Sequence, residues 1–529
     1  MQQQKQFLDL NDDVLEVILS HLDGRSLINT TETCYKLNDF ISTKDKLMKK
    51  IVLFVRFPEQ QQPEASLDFM INRMKNLLES NRRYKNLHIR NMAETHMENK
   101  ELQQMINCVI KQVGPTINNL ELCFIELAKY TEFTEIMEQF KQLKVCNLQS
   151  IKINELPTEN YAPLNLPCMR ELRVSCCDSY CLESFYQCEK MTKLVLIPLN
   201  YFSNAVFDMD RFEDFLLKQR HLKDLALDSF YSVHLLDQCK EVTFSLDSLR
   251  LHKIFFAHKD IALKFFQTQT KLKKVDIGII NEKDRKLDEL QWYEGILKHI
   301  FQSPELKQVE ISPINYKFYN MNFLKGITNN KVEILKFTDN SSSAHTKANC
   351  ELFEMMTKMF PNIKKLYYMG EGGQEVFSGI ASLKQLEAIS IDHGTECASF
   401  LGSIQITSGK LTEFISQATS PKNEENISEF LTRYSTIKHL TFCTSISKKL
   451  CRTIARSLPN LETLSVVGIT DSPKLSRLVL KKMTSLQSLT FSWEEYAKYS
   501  LLPKIPRILN RPGLAIKYKD FYWSSEEFF

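Results

Sequence analysis

The chain has 529 residues, and its 68 Lys and Arg nearly balance its 64 Asp and Glu, leaving a formal net charge of +4. That balance argues against a general nucleic-acid binder or a binder of anionic membranes, both of which need a concentrated positive field. No apolar run approaches the roughly 18 residues that span a bilayer, and the opening MQQQKQFLDL has no apolar core of a secretion signal. The fourteen cysteines are therefore expected in a reducing compartment, cytoplasmic and/or nuclear, where thiols pack as small buried hydrophobes.

The first predicted elements lie within Leu10 to Ile41. Val14, Leu15, Ile18, Leu19 and Leu22 have helical spacing and form one apolar stripe. The Asn11-Asp12-Asp13 run supplies N-cap oxygens, and Asp13 with Glu16 has the spacing of a capping box. Asp23-Gly24 closes this helix. Ser26 caps a second that carries Leu27, Thr31 and Cys34, and a third short helix holds Leu37, Phe40 and Ile41. Three helices in about forty residues cannot bury all these side chains among themselves, so part of the apolar surface awaits a partner.

This stretch resembles an F-box. The family pattern is met at Leu10, Asp13, Val14, Leu15, Ile18, Leu19, Ser20, Leu22, Asp23, Leu27 and Cys34. It is departed from at Asn11, Thr33, Tyr35 and Leu37, where the family usually has Pro, Val, Arg and Trp. The resemblance implies that residues 7–45 dock a Skp-type adaptor and, through it, a cullin. By the same resemblance Leu10, Asp13, Leu15, Ile18, Leu19, Leu22, Leu27 and Cys34 make the adaptor contact. Leu37 in place of Trp removes a large anchor from that contact.

Lys50 to Phe57 is rich in β-formers and reads as a strand. A proline- and glutamine-containing turn follows at 58–66, then helical periodicity from Leu67 to Leu78. From Tyr84 the chain repeats a unit of apolar, two others, apolar, one other, apolar. It is seen at Leu87-His88-Ile89, Leu120-Glu121-Leu122, Ile151-Lys152-Ile153, MRELRV (169–174), LKKVDI (272–277), LKQVEI (306–311), LETLSV (461–466) and LQSLTF (486–491). Sixteen copies, the weaker ones starting at Leu386 and Leu411, give a mean spacing of about 27 residues between Tyr84 and Leu486. Intervening stretches have helical periodicity, including Glu101–Val113, Arg211–Gln219, Cys350–Phe360 and Lys448–Ser457.

The unit resembles a leucine-rich repeat in its strand and departs from it afterwards. The family often places Asn or Cys three residues past the last strand aliphatic, and only Cys177 and Asn340 fit; Ile125, Ile280 and other aliphatics stand there elsewhere. The expected fold is an α/β solenoid: an N-terminal three-helix F-box at 7–45, then an irregular leucine-rich-repeat arc at 48–520 with parallel strands on its concave face. The aromatic and acidic tail at 521–529 either caps the last repeat or folds back along that face.

Motifs for chemistry are sparse. Cys176, Cys177, Cys181 and Cys188 cluster, but without the paired spacing of a zinc site or a nearby His, so packing is their expected role. Gly370-Glu371-Gly372-Gly373 follows a strand yet lacks the rest of a phosphate-binding loop, and reads as a turn needing positive φ. No catalytic motif, metal or cofactor is indicated. The expected working surface is the concave strand face, where Lys152, Arg173, Lys193, Arg250, Lys274, Lys336, Lys365 and Tyr367 point to solvent among interspersed acids. The two resemblances together imply a non-catalytic substrate-recognition subunit of an SCF-type ubiquitin ligase. The competing readings are a repeat scaffold or inhibitor without ligase assembly and, behind it, an enzyme with a cryptic site.

Overall fold

The computed structural model describes residues 7, 10–57, 82–91, 100–155, 163–197, 209–227, 244–251, 259–280, 290–314, 324–339, 346–370, 374–392, 401, 404–416, 424–467, 482–492 and 515–519. They divide into two compact units, one of residues 1–250 with 256–265 and one of 251–255 with 266–529. The expected turn at 58–66, the helix at 67–78, Asn340 and the tail at 521–529 lie outside the described residues.

The first unit opens with α1 (Asp12–Leu19), α2 (Gly24–Thr31), α3 (Tyr35–Thr43) and a single-turn α4 (Asp45–Met48), one turn more than the three helices expected. Asn11 is the cap of α1, its side chain accepting the Asp13 N–H at 3.0 Å. Asp13 therefore sits inside the first turn and cannot be the capping residue its spacing with Glu16 suggested. Helix α2 starts before Ser26, because Asp23 takes the cap and accepts the Ser26 N–H at 2.7 Å. Gly24 is required there: a Cβ would lie 2.0 Å from the carbonyl oxygen of Lys50.

Strands then follow as β1 (Val52–Phe57), β2 (Asn86–Asn91), β3 (Asn119–Cys123), β4 (Glu126–Lys129), β5 (Val145–Gln149), β6 (Lys152–Glu155), β7 (Glu171–Ser175), β8 (Lys193–Ile197), β9 (Asp224–Leu227) and β10 (Ser248–Leu251). A parallel ladder runs β1-β2-β3-β5-β7-β8-β9, residue against residue. Strands β4 and β6 pair only with each other, as a short side ladder. One device sets the register. The carbonyl just before each strand accepts two consecutive N–H groups from the next repeat: Lys85 from Asn118 and Asn119, Asn118 from Lys144 and Val145, Lys144 from Arg170 and Glu171. Helices α5 (Lys100–Val113), α6 (Tyr130–Met137), α7 (Ser179–Glu183) and α8 (Met209–Leu217) lie between strands. Alternate strand residues such as Leu120, Leu122, Cys146, Leu148, Leu172 and Val174 are buried, which is why a period of two sets the core.

The second unit repeats the plan. Its strands are β11 (Lys274–Ile280), β12 (Gln308–Ile314), β13 (Ile334–Thr338), β14 (Lys365–Met369), β15 (Ala388–Asp392), β16 (Glu413–Ser416), β17 (His439–Phe442), β18 (Thr463–Val466), β19 (Ser488–Ser492) and β20 (Ala515–Lys519). They pair in parallel and in sequence order, β11 through β20. The same double-acceptor carbonyls recur at Lys307, Glu333, Lys364, Glu387, Thr412, Lys438 and Glu462. Exposed ion pairs Lys364–Glu333 at 2.8 Å and Lys438–Glu462 at 2.9 Å link neighbouring members of this row. Phe337, Phe353 and Tyr368 form one aromatic core cluster, with centroids 4.9–5.9 Å apart. Each unit is thus an α/β solenoid of parallel-strand repeats.

The repeat copy expected at Ile151-Lys152-Ile153 is displaced. The ladder strand of that repeat is β5, where Cys146 occupies an apolar slot that a leucine pattern overlooks, and Lys152 opens the side ladder. Strand β20 lies past the last repeat expected at Leu486.

Candidate functional site

Helix α1 has two apolar faces, and they do different work. Leu15 and Leu19 are 2% exposed and Leu27 of α2 is wholly buried, together with Leu37, Phe40, Ile41, Leu47 and Met48. These residues make the core of the segment, so Leu15, Leu19 and Leu27, which the sequence pattern put at the partner contact, are turned away from solvent in the chain by itself. The opposite face carries Val14, Val17 and Ile18, between 40% and 55% exposed at i, i+3 and i+4 spacing. Ile18 is the one expected contact of these three. The sequence pattern puts Val14 in a single apolar stripe with Leu15 and Leu19 and does not single out Val17; the structure sets Val14 and Val17 on the exposed side of α1.

Of the other expected contacts, Asp13 is exposed, Leu10 and Leu22 are partly exposed, and Cys34 is half-buried at the N-cap of α3. Tyr35, the first residue of α3, is 83% exposed, whereas Leu37 turns inward. Lys44 braces the inner side, lying 5.0 Å from the Phe40 ring centroid and 3.7 Å from Asp12 Oδ2. Lys50 closes the end of α1, its ammonium donating to the carbonyls of Ser20 and Leu22.

The strand faces behave differently in the two units. In the first, Arg173 and Arg250 are half-buried and Lys193 is exposed, as an open face requires. Lys152 is exposed but belongs to the side ladder, paired with Glu126 at 3.0 Å. In the second unit Lys274 and Lys365 are half-buried, but Lys336 and Tyr367, expected in solvent, are not. Lys336 is 1% exposed, with Glu310 Oε2 3.7 Å away. It sits in a register row of Asp276, Glu310, Lys336, Tyr367 and Ser390, all buried. Neighbours on adjacent parallel strands stand only about 4.8 Å apart, which sets Lys336 directly between Glu310 and Tyr367. The row opens again at the half-buried Thr441, Ser465 and Thr490.

Of the cysteine cluster, Cys177, Cys181 and Cys188 are buried and Cys176 is half-buried. Cys177 Sγ donates to the Ser175 carbonyl at 3.2 Å and accepts the Ile151 N–H at 3.4 Å, the turn-closing role that a Cys at this repeat position can fill. Cys176 adopts φ of 54° in the turn, as Ser150 and Phe124 do one and two repeats earlier. Burial pushes the Cys188 thiol up to about 11, and a hydrogen bond with Cys177, together with burial, raises Cys181 well above the ordinary thiol value, which keeps both protonated. Among the described residues no three His, Cys, Asp or Glu side chains are grouped to hold a metal ion. Gly370 has φ of 152°, and a Cβ there would lie 2.7 Å from Asp339 Cβ; the glycine serves its turn. No described helix is long and apolar enough to cross a membrane.

Comparison with known proteins places residues 7–49 in the F-box domain family. No curated protein sequence matches the chain. Solved structures similar in fold include a leucine-rich-repeat protein of Leptospira interrogans (14% identity, 90% of this chain and 92% of that one, TM-score 0.24). Another is a chain of the yeast Rad7–Elc1 complex (12% identity, 56% and 81%, TM-score 0.32). A third is a protein of Bacteroides fragilis (16% identity, 47% and 75%, TM-score 0.31).

Proposed function

We propose that this chain is the non-catalytic substrate-recognition subunit of an SCF-type ubiquitin ligase, working in the cytoplasm or nucleus. Its F-box docks a Skp-type adaptor, the adaptor links it to a cullin, and the repeats hold a target protein. Ubiquitin transfer then gains from proximity alone, since tethering raises the effective concentration of target lysines at the ligase. The observation that carries this reading is the apolar face Val14-Val17-Ile18, held outward in a segment that matches the F-box family. A soluble surface seldom leaves three aliphatics side by side on one helix without a partner.

Burying each of these side chains fully is worth roughly 1.5–3 kcal/mol. The test is capture of purified Skp-type adaptor and cullin by the full chain, beside a Val14→Asp, Val17→Asp variant. The wild type should bring down both. The variant should lose at least about a hundredfold in adaptor affinity, equivalent to ~2.7 kcal/mol, with its melting temperature little changed. A folded wild type that captures no adaptor would overturn the ligase reading and leave a repeat scaffold acting by protein binding alone.

A further inference from the structure

The second exposed apolar patch of the first unit lies on the strand face of its first repeats. Val52 and Phe54 of β1 are 38% and 48% exposed, unlike the buried inward residues Leu53 and Val55. Phe54 heads a register row that runs to His88, Glu121 and Asn147 on β2, β3 and β5. Its ring meets the His88 imidazole edge-on, with centroids 6.3 Å apart. His88 Nδ1 is 3.7 Å from Glu121 Oε2, and Cys123 Sγ donates to Glu121 Oε1 at 3.4 Å, so the carboxylate of this face is engaged within it.

The cation has no such partner among the described residues: Arg90, on the same face of β2 two residues beyond His88, lies over the Phe124 ring, 5.6 Å from its centroid, and its Nε meets no hydrogen-bond acceptor among them. Asn147 Oδ1, buried two strands further on, likewise meets no donor among the described residues. The face thus offers an exposed aromatic and a half-buried guanidinium without an acceptor among the described residues. Those are complements of an apolar side chain and a carboxylate.

We propose that this face is the target-binding surface, and that its occupant is an extended polypeptide segment carrying a bulky apolar residue and an acidic residue two positions away. The spacing follows from the sheet. Arg90 is one strand over and two residues along from Phe54, a diagonal of about 7–8 Å. Residues i and i+2 of an extended chain project the same way about 6.6 Å apart. An apolar side chain on Phe54 therefore brings the acid to Arg90, where a charge-assisted hydrogen bond is the strong kind. The buried row Asp276-Glu310-Lys336-Tyr367-Ser390 offers no comparable access in the second unit.

This inference rests on the target-receptor reading and can fail separately from it. The probe is an immobilised array of short peptides with Phe, Leu or Ala at one position and Glu, Gln or Lys two residues on, read with the full chain and followed by affinity measurement in solution. Phe-x-Glu and Leu-x-Glu peptides should bind at least about tenfold tighter than their Gln or Ala counterparts. Phe54→Ser should cut affinity by a similar factor. Arg90→Gln should erase the preference for Glu over Gln, while both variants capture adaptor as the wild type does. An Arg90→Gln protein that still prefers Glu, or a Phe54→Ser protein that binds unchanged, overturns the proposal. So does a wild-type dimer that Phe54→Ser converts to monomer, because a second copy would then be the occupant. Loss of adaptor capture by the wild type would instead strike the ligase reading.

Discussion

Asp178 shows how one carboxylate stitches two repeats. Its Oδ2 accepts the Ile153 N–H at 2.7 Å, tying the residue ahead of α7 to the side-ladder strand β6. Burial raises its pKa above the ordinary carboxylate value, against the lowering pull of that hydrogen bond and of Lys152. Asp178→Asn keeps an acceptor and should leave stability near neutral, whereas Asp178→Ala strands the N–H and should cost about 1–3 kcal/mol by chemical denaturation. The pH dependence has a definite sign. A carboxyl whose folded pKa exceeds its unfolded one binds its proton first in the folded state, so it adds stability as pH falls and loses it as pH rises through the folded value. Wild type should therefore gain on Asp178→Asn as pH is lowered from neutral into the carboxylate range; a gap that widens the other way would refute the burial account. Gly24 is a harsher case. A methyl placed 2.0 Å from the Lys50 carbonyl forces α2 away from the end of α4, and Gly24→Ala should cost at least about 1–3 kcal/mol in thermal unfolding.

At the scale of elements, α1 has a buried apolar side and an exposed one, and the proposed adaptor contact lies on the second. Leu19→Asp puts an unpaired charge into a closed core and should destabilise the segment by at least about 3 kcal/mol, losing adaptor binding because the helices melt. Val17→Asp, on the exposed side, should lose binding while circular dichroism and melting temperature hold. Finding both variants equally unfolded would mean that the outer face is packed after all. The sequence period made α1, most repeat strands and helices such as Lys448–Ser457 legible, because burial on one side leaves a 3.6 or 2.0 period in the residues themselves. It could not say which side of an aliphatic-rich helix turns inward, since Val14, Leu15, Ile18 and Leu19 are equally apolar; only the positions of α2 and α3 decide that. Strand β5 was hidden by Cys146, a small thiol in a leucine slot. The sealed state of Lys336 was hidden because a strand pattern reports which face a residue points to and not whether that face is open to solvent.

For the whole molecule, what matters is how firmly the proposed adaptor-binding end is held to the repeats that would carry a target. Within the first unit the two are joined by polar groups with fixed geometry. Arg82 Nη2 donates to Thr31 Oγ1 at 2.9 Å and Asn38 Oδ1 at 2.7 Å, and Lys85 lies 3.3 Å from Asp45. Asn86, buried in β2, donates to the carbonyls of Lys49 and Ile51 and accepts from Asn119 Nδ2 at 2.6 Å, so one amide joins α4, β1 and β3. A flexible tether would need none of these bonds, and a buried amide lacking them would be costly. The expected role of the junction is to fix the angle at which the F-box leaves the first repeats, which narrows the set of target lysines within reach of a bound ligase. Asn86→Ala removes three hydrogen bonds at one stroke. Amide exchange across residues 45–57 should then rise by about tenfold or more, since each ~1.4 kcal/mol of lost local stability is a factor of ten. Because the proposed adaptor contact lies on the exposed face of α1, adaptor affinity should stay the same while ubiquitin spreads over more target lysines. Unchanged exchange would show that the helices are held by apolar packing alone and that Asn86 merely fills a slot in its row.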